Sequence, residues 1–135
     1  MRHLIRLEVF PVAQGTIVIV DDDPAVLEGL RFALEAEGYL VETYQKAAHA
    51  LARGTFPVNC CFVLDYYLDD MTGIELFARL RSAGSARPAL IITPFASQQI
   101  REQAKNAGMS VVEKPFASSE LSDRIRTLLA STKGS

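Results

Sequence analysis

Hydrophobic residues in this chain form five short runs, separated by longer segments in which they are spaced three or four residues apart. The run from Cys60 to Asp65 is apolar without interruption until its final carboxylate. Such a run is typical of a strand in a parallel sheet whose two faces are both covered by helices. The segments predicted as strands are Thr16–Val20, Leu40–Tyr44, Cys60–Asp65, Ala89–Thr93 and Ser110–Glu113.

Between these strands, helical spacing and capping residues predict five helices. Asp23 followed by Pro24 is typical of an N-cap and the first helical position, and Thr72 with Glu75 forms a capping box. The predicted helices cover residues 24–37, 47–53, 72–83, 97–107 and 118–130.

Two of these helices differ in their expected burial. The inward face of the third helix is predicted to contain Ile74, Phe77 and Ala78. The fourth helix is rich in Gln, Arg and Lys, and its apolar face contains only Ile100, Ala104 and Ala107. Because so little apolar surface is available for burial, we expect the fourth helix to be the least stable of the domain.

Strands that alternate with helices imply a parallel α/β sheet with right-handed crossovers. All five strands then point in the same direction, and their carboxyl ends meet at the edge where open α/β sheets bind ligands. The reactive residues predicted at this edge are Asp21, Asp22, Asp65, Thr93 and Lys114.

Composition restricts the classes of partner and location. The net charge of −2 gives no electrostatic reason for binding nucleic acid, and no apolar stretch approaches the roughly 18 residues that span a bilayer. The first residues contain no apolar core of a signal peptide. Cys60 and Cys61 are neighbours on one strand, which opposes a disulfide between them. We interpret them as core residues of a cytoplasmic protein.

The carboxylates at the predicted edge need a counter-charge, because two unit charges about 4 Å apart cost about 4 kcal/mol at an effective dielectric near 20. Asp21, Asp22 and Asp65 offer only oxygen ligands, which favours Mg²⁺ with several retained waters. With an ammonium and a hydroxyl beside the metal, Asp65 could accept a phosphoryl group by in-line attack.

The order and spacing of four motifs resemble the receiver domain of two-component response regulators. The resemblance covers about residues 16–130. The motifs are Val20-Asp21-Asp22-Asp23-Pro24, Val63-Leu64-Asp65 with Gly73 eight residues later, Ile91-Ile92-Thr93, and Glu113-Lys114-Pro115-Phe116.

This resemblance implies a flavodoxin-like fold, a doubly wound five-stranded parallel sheet of order 2-1-3-4-5 flanked by five helices. It also implies that Asp65 is the acceptor of a phosphoryl group in a Mg²⁺-dependent reaction. It further implies that Mg²⁺ is bound directly by Asp22, mainly through water by Asp21, and by the backbone carbonyl of Tyr67. Thr93 would supply the switch hydroxyl and Lys114 would pair with the phosphate. The peptide bond before Pro115 would be cis.

The same resemblance implies the partners. The phosphoryl donor would be a phosphohistidine on a sensor histidine kinase or on a phosphotransfer protein. A phosphorylated receiver would change a surface near the fourth and fifth helices that contacts an output domain or a downstream protein. Homodimerisation through the face formed by the fourth helix, the fifth strand and the fifth helix is compatible with this role. We expect neither nucleic acid nor a membrane to bind this domain directly.

Several positions depart from the usual receiver pattern. Pro94 follows Thr93 and lacks the backbone N–H that usually helps to hold the phosphoryl group. Val111 stands where many relatives have an aromatic residue that moves inward on switching. Asp69 replaces a frequent proline and adds a carboxylate near the metal, and Tyr67 places a bulky side chain at the rim.

These departures keep a second function open. A degenerate receiver would retain the fold and dock partners without phosphorylation, which Pro94 and Val111 favour and the acid, hydroxyl and amine set opposes. An enzyme such as an aspartate-nucleophile phosphatase is disfavoured, because Pro24 follows Asp23 where such enzymes have threonine. We therefore expect a phosphoacceptor with, at most, slow autodephosphorylation.

The two ends of the chain are not assigned to the domain. Residues 1–15 could be a native leader, residues added by cloning or an extra strand. Residues 131–135 are predicted to be a disordered tail. Since no output domain follows residue 130, the chain is expected to be a standalone receiver or a part of a longer regulator.

Overall fold

A five-stranded parallel sheet forms the centre of the protein. The computed structural model describes residues 14–133, and within this range the strand order is β2-β1-β3-β4-β5. The strands are β1 Thr16–Val20, β2 Leu40–Tyr44, β3 Cys60–Asp65, β4 Ala89–Thr93 and β5 Ser110–Glu113. The helices are α1 Pro24–Ala36, α2 Ala47–Ala52, α3 Gly73–Ser82, α4 Gln98–Asn106 and α5 Ser118–Lys133. The predicted flavodoxin-like fold and strand order are confirmed.

Alternate residues of the central strand enter two separate hydrophobic layers. Phe62 packs with side chains of α2, α3 and α4 on one face, whereas Val63 packs with side chains of α1 and α5 on the other. Cys60 and Cys61 are divided between the layers in the same way, and both are free thiols. Burial raises the pKa of Cys60 to about 12, so neither chemistry nor exposure suggests a role beyond packing.

The capping predictions are confirmed at two helices. The Asp23 carboxylate accepts a hydrogen bond from the Ala25 amide at 2.9 Å. At α3, Thr72 and Glu75 bond each other's backbone amides reciprocally, as a capping box requires. These caps fix the starts of the two helices that follow the strands ending at the acidic residues.

The predicted inward face of α3 was partly wrong. Phe77 is buried, but Ile74 is only partly buried and Ala78 is exposed. Leu76 and Leu80 are buried instead, one turn apart. Because these leucines bury more apolar area than alanine, they determine which side of the helix faces the sheet.

The last helix also ends later than predicted. The last helix continues to Lys133, three residues beyond the expected boundary. The Ser131 hydroxyl donates to the carbonyls of Thr127 and Leu128 within this final turn, at 3.0 and 3.2 Å. Residues 1–13 of the expected leader and residues 134–135 of the expected tail lie outside the described residues. No helix in the described range is long and apolar enough to cross a bilayer.

Candidate functional site

The carboxyl edge of the sheet brings together residues that are far apart in the sequence. Val20 pairs with Leu64, and Asp65 pairs with Ile92. The residue after β1 and the last residues of β3 and β4 therefore lie next to one another at the edge of the sheet. Thr93 in turn pairs with Glu113, which places Lys114 next to the same edge. The parallel topology therefore positions every strand-end residue that the sequence singled out.

An ammonium group lies between two buried carboxylates. Lys114 Nζ is 3.0 Å from Asp21 Oδ2 and 3.6 Å from Asp65 Oδ1. Asp21 is only 1% exposed and Asp65 only 6%. At 3.6 Å, the contact between Lys114 and Asp65 is an ion pair without a hydrogen bond. The predicted proximity of acid and amine is thus present in the structure.

One oxygen of the Asp65 carboxylate accepts no hydrogen bond within residues 14–133. Its Oδ1 atom is buried and has no hydrogen-bond partner among the described residues. Burial and the neighbouring Asp21 carboxylate raise the pKa of Asp65 to about 6, although Lys114 opposes this shift. A buried oxygen of this kind is stabilised by a proton or a cation, which makes Asp65 the chemically distinctive residue of the edge.

The three consecutive acids after β1 have different environments. Asp21 is internal, and its Oδ1 accepts a hydrogen bond from the Asp23 amide at 2.9 Å. Asp22 lies at the rim, where its Oδ1 accepts from the Asp69 amide at 3.4 Å. Burial raises the pKa of Asp22, and the carboxylates of Asp69 and Asp21 raise it further, against the lowering by that amide. Asp23 serves as the cap of α1, in agreement with the sequence interpretation.

Gly73 allows α3 to approach Asp65 closely. A Cβ atom at this position would lie 2.5 Å from the Asp65 carbonyl oxygen and 2.9 Å from Ile91 Cδ1. The Gly73 amide donates to the Tyr66 carbonyl at 2.9 Å. The motif that spaced Gly73 eight residues after Asp65 therefore has a steric reason.

Thr93 is fully buried, and its hydroxyl contacts the loop that follows it. Thr93 Oγ1 donates to the Phe95 carbonyl at 3.3 Å and accepts from the Phe95 amide at 3.4 Å. The peptide bond between Lys114 and Pro115 is cis, as predicted. Tyr67 lies at the rim, is half exposed and packs edge-on against Tyr66. The proposed ligand role of the Tyr67 carbonyl stays a prediction.

Two contacts near the site had no local signal in the sequence. The Asp70 carboxylate accepts from the amides of Ala47 and Ala48 at 3.2 and 3.0 Å, and so caps α2 from a different loop. Although burial opposes it, these amides lower the pKa of Asp70. The Glu113 carboxylate accepts from the Ala96 amide at 2.8 Å. The sequence offers one weak signal for the contact of Asp70 with α2, because α2 begins without a capping residue of its own.

The donor set is compatible with a hydrated magnesium ion. Within residues 14–133, no three or more His, Cys, Asp or Glu side chains group closely enough to hold a metal by themselves. Mg²⁺ does not require such a group, because it is usually bound by one or two carboxylates and several waters. The unpartnered Asp65 oxygen and the oxygen-only side chain of Asp22 fit this requirement.

Comparison with known proteins decides the family. Residues 17–126 match the family model of the response regulator receiver domain. The chain belongs to this family. As a receiver domain it takes part in two-component signalling, and its motifs, topology and strand-end residues agree with that membership.

Individual relatives agree with this identification. The chain is 38% identical over 118 residues to response regulator MprA of Mycobacterium ulcerans, covering 87% of this chain and 51% of the relative. It is 39% identical over 118 residues to response regulator MprA of Mycobacterium leprae, covering 87% of this chain and 52% of that relative. A CheY-like receiver domain structure from Methanospirillum hungatei superposes with a TM-score of 0.80 at 30% identity, covering 90% of this chain and 98% of that one. The receiver thus spans about half the length of the curated relatives that it matches.

Proposed function

We propose that this receiver domain accepts a phosphoryl group on Asp65 from a phosphohistidine of a sensor histidine kinase or a phosphotransfer protein. The observation that carries the proposal is the buried Asp65 carboxylate, whose Oδ1 has no hydrogen-bond partner and lies 3.6 Å from the Lys114 ammonium. No other carboxylate of the described residues combines deep burial with an unbonded oxygen atom.

In this reaction a carboxylate oxygen of Asp65 attacks phosphorus in line with the phosphorus–nitrogen bond of the donor. The oxygen–phosphorus bond forms, the phosphorus–nitrogen bond breaks, and the imidazole leaves with that electron pair and takes up a proton. The Lys114 ammonium neutralises charge on the phosphoryl oxygens, and the Thr93 hydroxyl donates to one of them. Asp65 must be ionised to attack.

The residues that would hold Mg²⁺ are Asp22, Asp65 and the Tyr67 carbonyl, with Asp21 acting mainly through water. When bound, the metal neutralises charge on the transferring phosphoryl oxygens and on the carboxylates. Asp21 is already paired with Lys114 at 3.0 Å, which supports an indirect role for Asp21. Asp69 adds a further carboxylate next to Asp22.

A degenerate, phosphorylation-independent docking module is the second candidate. It is favoured by Pro94, which removes a backbone donor, and by the Thr93 hydroxyl, which is engaged with the Phe95 backbone. The assembled cluster of Asp21, Asp65 and Lys114 opposes it. Burying these charges destabilises the fold, and a docking module that is not phosphorylated would have no use for them.

Mass spectrometry after incubation with acetyl phosphate and Mg²⁺ distinguishes the two candidates. We expect the wild-type protein to gain one base-labile phosphoryl group, and the D65N variant to gain none. D123N, in which an exposed carboxylate of α5 is replaced, is the matched control and should behave as the wild type does. Absence of any adduct on a folded wild-type protein, together with no response to beryllofluoride, would favour the docking module.

The remaining functional assignments concern the longer regulator. We propose that phosphorylation changes the surface formed by α4, β5 and α5, and that this surface contacts an output domain, a downstream protein or a second copy of the domain. The curated relatives are about twice as long as the matched segment, which supports an output region in the whole protein. A cytoplasmic location follows from the same proposal.

A further inference from the structure

The loop between β4 and α4 follows Thr93 and is anchored at Ala96. Pro94 and Phe95 are exposed, whereas Ala96 is only 8% exposed. At the end of this loop, Ser97 caps α4 by accepting from the Ile100 amide at 3.1 Å. The loop therefore has one buried backbone position, Ala96, between the site and the helix.

Both backbone polar groups of Ala96 are bound by one ion pair. Glu113 Oε2 accepts from the Ala96 amide at 2.8 Å, and Arg101 Nε donates to the Ala96 carbonyl at 3.2 Å. Arg101 Nη2 and Glu113 Oε1 are 3.2 Å apart. We call this arrangement of Glu113, Arg101 and the Ala96 backbone the clamp. It joins β5, α4 and the loop.

The clamp and the Thr93 hydroxyl act on the same peptide group. The Ala96 amide that Glu113 binds and the Phe95 carbonyl to which Thr93 donates belong to one planar unit. Because the unit is rigid, fixing the direction of its N–H also fixes the direction of its carbonyl. A charged acceptor on the N–H further polarises that carbonyl and strengthens its hydrogen bond with Thr93.

The ion pair of the clamp is largely exposed to solvent. The side chains of Arg101 and Glu113 are 53% and 45% exposed, and an ion pair with this exposure contributes little to stability. Val111, on the same strand as Glu113, has no aromatic ring.

We propose that Glu113, supported by Arg101, is a positioning residue that holds the Thr93 hydroxyl on the Phe95 carbonyl and away from the acceptor in the unphosphorylated domain. This inference rests on the proposed phosphoacceptor function of Asp65. Phosphorylation then requires Thr93 to exchange the Phe95 carbonyl for a phosphoryl oxygen, and the peptide group that is released turns away from Glu113. Switching would thus pass from Thr93 through one peptide unit to β5 and α4.

Beryllofluoride titration in the presence of Mg²⁺ measures the effect on the activated state. E113A should bind beryllofluoride about fivefold more tightly than the wild type, since about one hydrogen bond that opposes activation is lost. E113Q keeps an acceptor for the Ala96 amide and should show a smaller gain. D123A removes a different exposed ion pair, on α5, and should leave the affinity unchanged. If the wild type binds beryllofluoride, unchanged or weaker binding by E113A would overturn the proposal.

A double-mutant cycle and an NMR measurement separate positioning from a general loss of structure. In the T93A background the gain from E113A should disappear, and a gain of the same size there would contradict transmission through Thr93. In the unliganded protein, three-bond couplings should show a broader Thr93 χ1 distribution in E113A than in wild type or D123A.

The NMR measurement also keeps the inference distinct from the proposed function. If the wild type fails to bind beryllofluoride but E113A still releases Thr93, the phosphoacceptor function fails and the positioning role stands. A Thr93 χ1 distribution that E113A leaves unchanged overturns the positioning role, whatever the response to beryllofluoride.

Discussion

Asp65 is the residue at which folding and chemistry oppose each other. The fold places its carboxylate among buried groups, and one oxygen receives no hydrogen bond within the described range. The ionised form is consequently disfavoured, even though in-line attack on phosphorus needs that form. Lys114 reduces the conflict without removing it, because its ammonium is closer to Asp21 than to Asp65.

We expect the D65N variant to be more stable than the wild type at pH 7 in the presence of EDTA. The pKa of Asp65 is raised from its ordinary 3.8 to about 6, so the native state binds the proton more tightly than the unfolded chain does. Wild-type stability should therefore fall as the pH rises through the window between these two values, and D65N should lack this loss. The expected difference at pH 7 is about 1–3 kcal/mol.

Urea denaturation of both proteins at pH 5 and pH 7 measures this difference. D123N, which alters an exposed acid, should follow the wild type at both pH values. A D65N protein that is less stable than the wild type at pH 7 would show that the buried charge is better compensated than the geometry indicates.

Substitution of Gly73 by alanine tests the close approach of α3 to β3. The added Cβ would lie 2.5 Å from the Asp65 carbonyl oxygen, which is backbone and cannot move aside easily. We expect a loss of about 1–3 kcal/mol in the free energy of unfolding, measured by urea denaturation. A Cβ added at Gly29 in α1 would have no atom within 4 Å, so G29A should instead gain about 0.5–1 kcal/mol.

Pro94 is expected to shorten the lifetime of the phosphorylated form. The position after Thr93 has no N–H, and one charge-assisted hydrogen bond to the proposed phosphoryl group is worth roughly 1.5–3 kcal/mol. P94A should therefore retain the acyl phosphate longer than the wild type, as followed by the decay of the phosphorylated mass. Equal decay rates would mean that another donor replaces the missing amide.

At the scale of elements, the five strands could be predicted with their observed bounds. The strands β1, β3 and β4 are compact hydrophobic runs, and β2 and β5 are short segments between two predicted helices. The helix starts at Pro24 and Gly73 were also predictable, since their caps are local sequence patterns. The inward face of α3 was harder, because it depends on how two leucines fit the sheet and only tertiary packing decides that.

The helix α4 should exchange its backbone amides faster than the other four helices. Its buried side chains are only Ile100 and Ala104, whereas α1 buries three leucines. Although α2 is shorter, Asp70 binds its first turn to the β3–α3 loop. Hydrogen–deuterium exchange with mass spectrometry checks this expectation. Slower exchange in α4 than in α1 would contradict it.

At the scale of the whole molecule, the site exists only when the sheet is complete. Lys114 and Asp21 are 93 positions apart in the chain and meet because β5 and β1 both end at the same edge. The proposed binding of a cation at this edge would therefore be coupled to global folding, since the unfolded chain does not assemble the acids.

Magnesium should raise the melting temperature of the wild-type protein. A ligand that binds only the native state contributes about 2.7 kcal/mol at a free concentration about 100-fold above its Kd. Thermal denaturation with MgCl₂ and with EDTA measures the shift, which D65N should reduce strongly because it removes both the charge and the unbonded oxygen. An equal shift in D65N would place the cation elsewhere on the protein.

The sequence by itself determined the strands, the local helix caps and the residue types that reach the carboxyl edge, because these follow from hydrophobic runs and from contacts between near neighbours. Tertiary structure alone decided the 3.0 and 3.6 Å distances from Lys114 to the two acids, the capping of α2 by Asp70 and the hold of Glu113 on Ala96. Each of these contacts joins side chain and partner across at least 17 positions of the chain. Their geometry depends on how the strands and loops pack, and no local pattern encodes that packing.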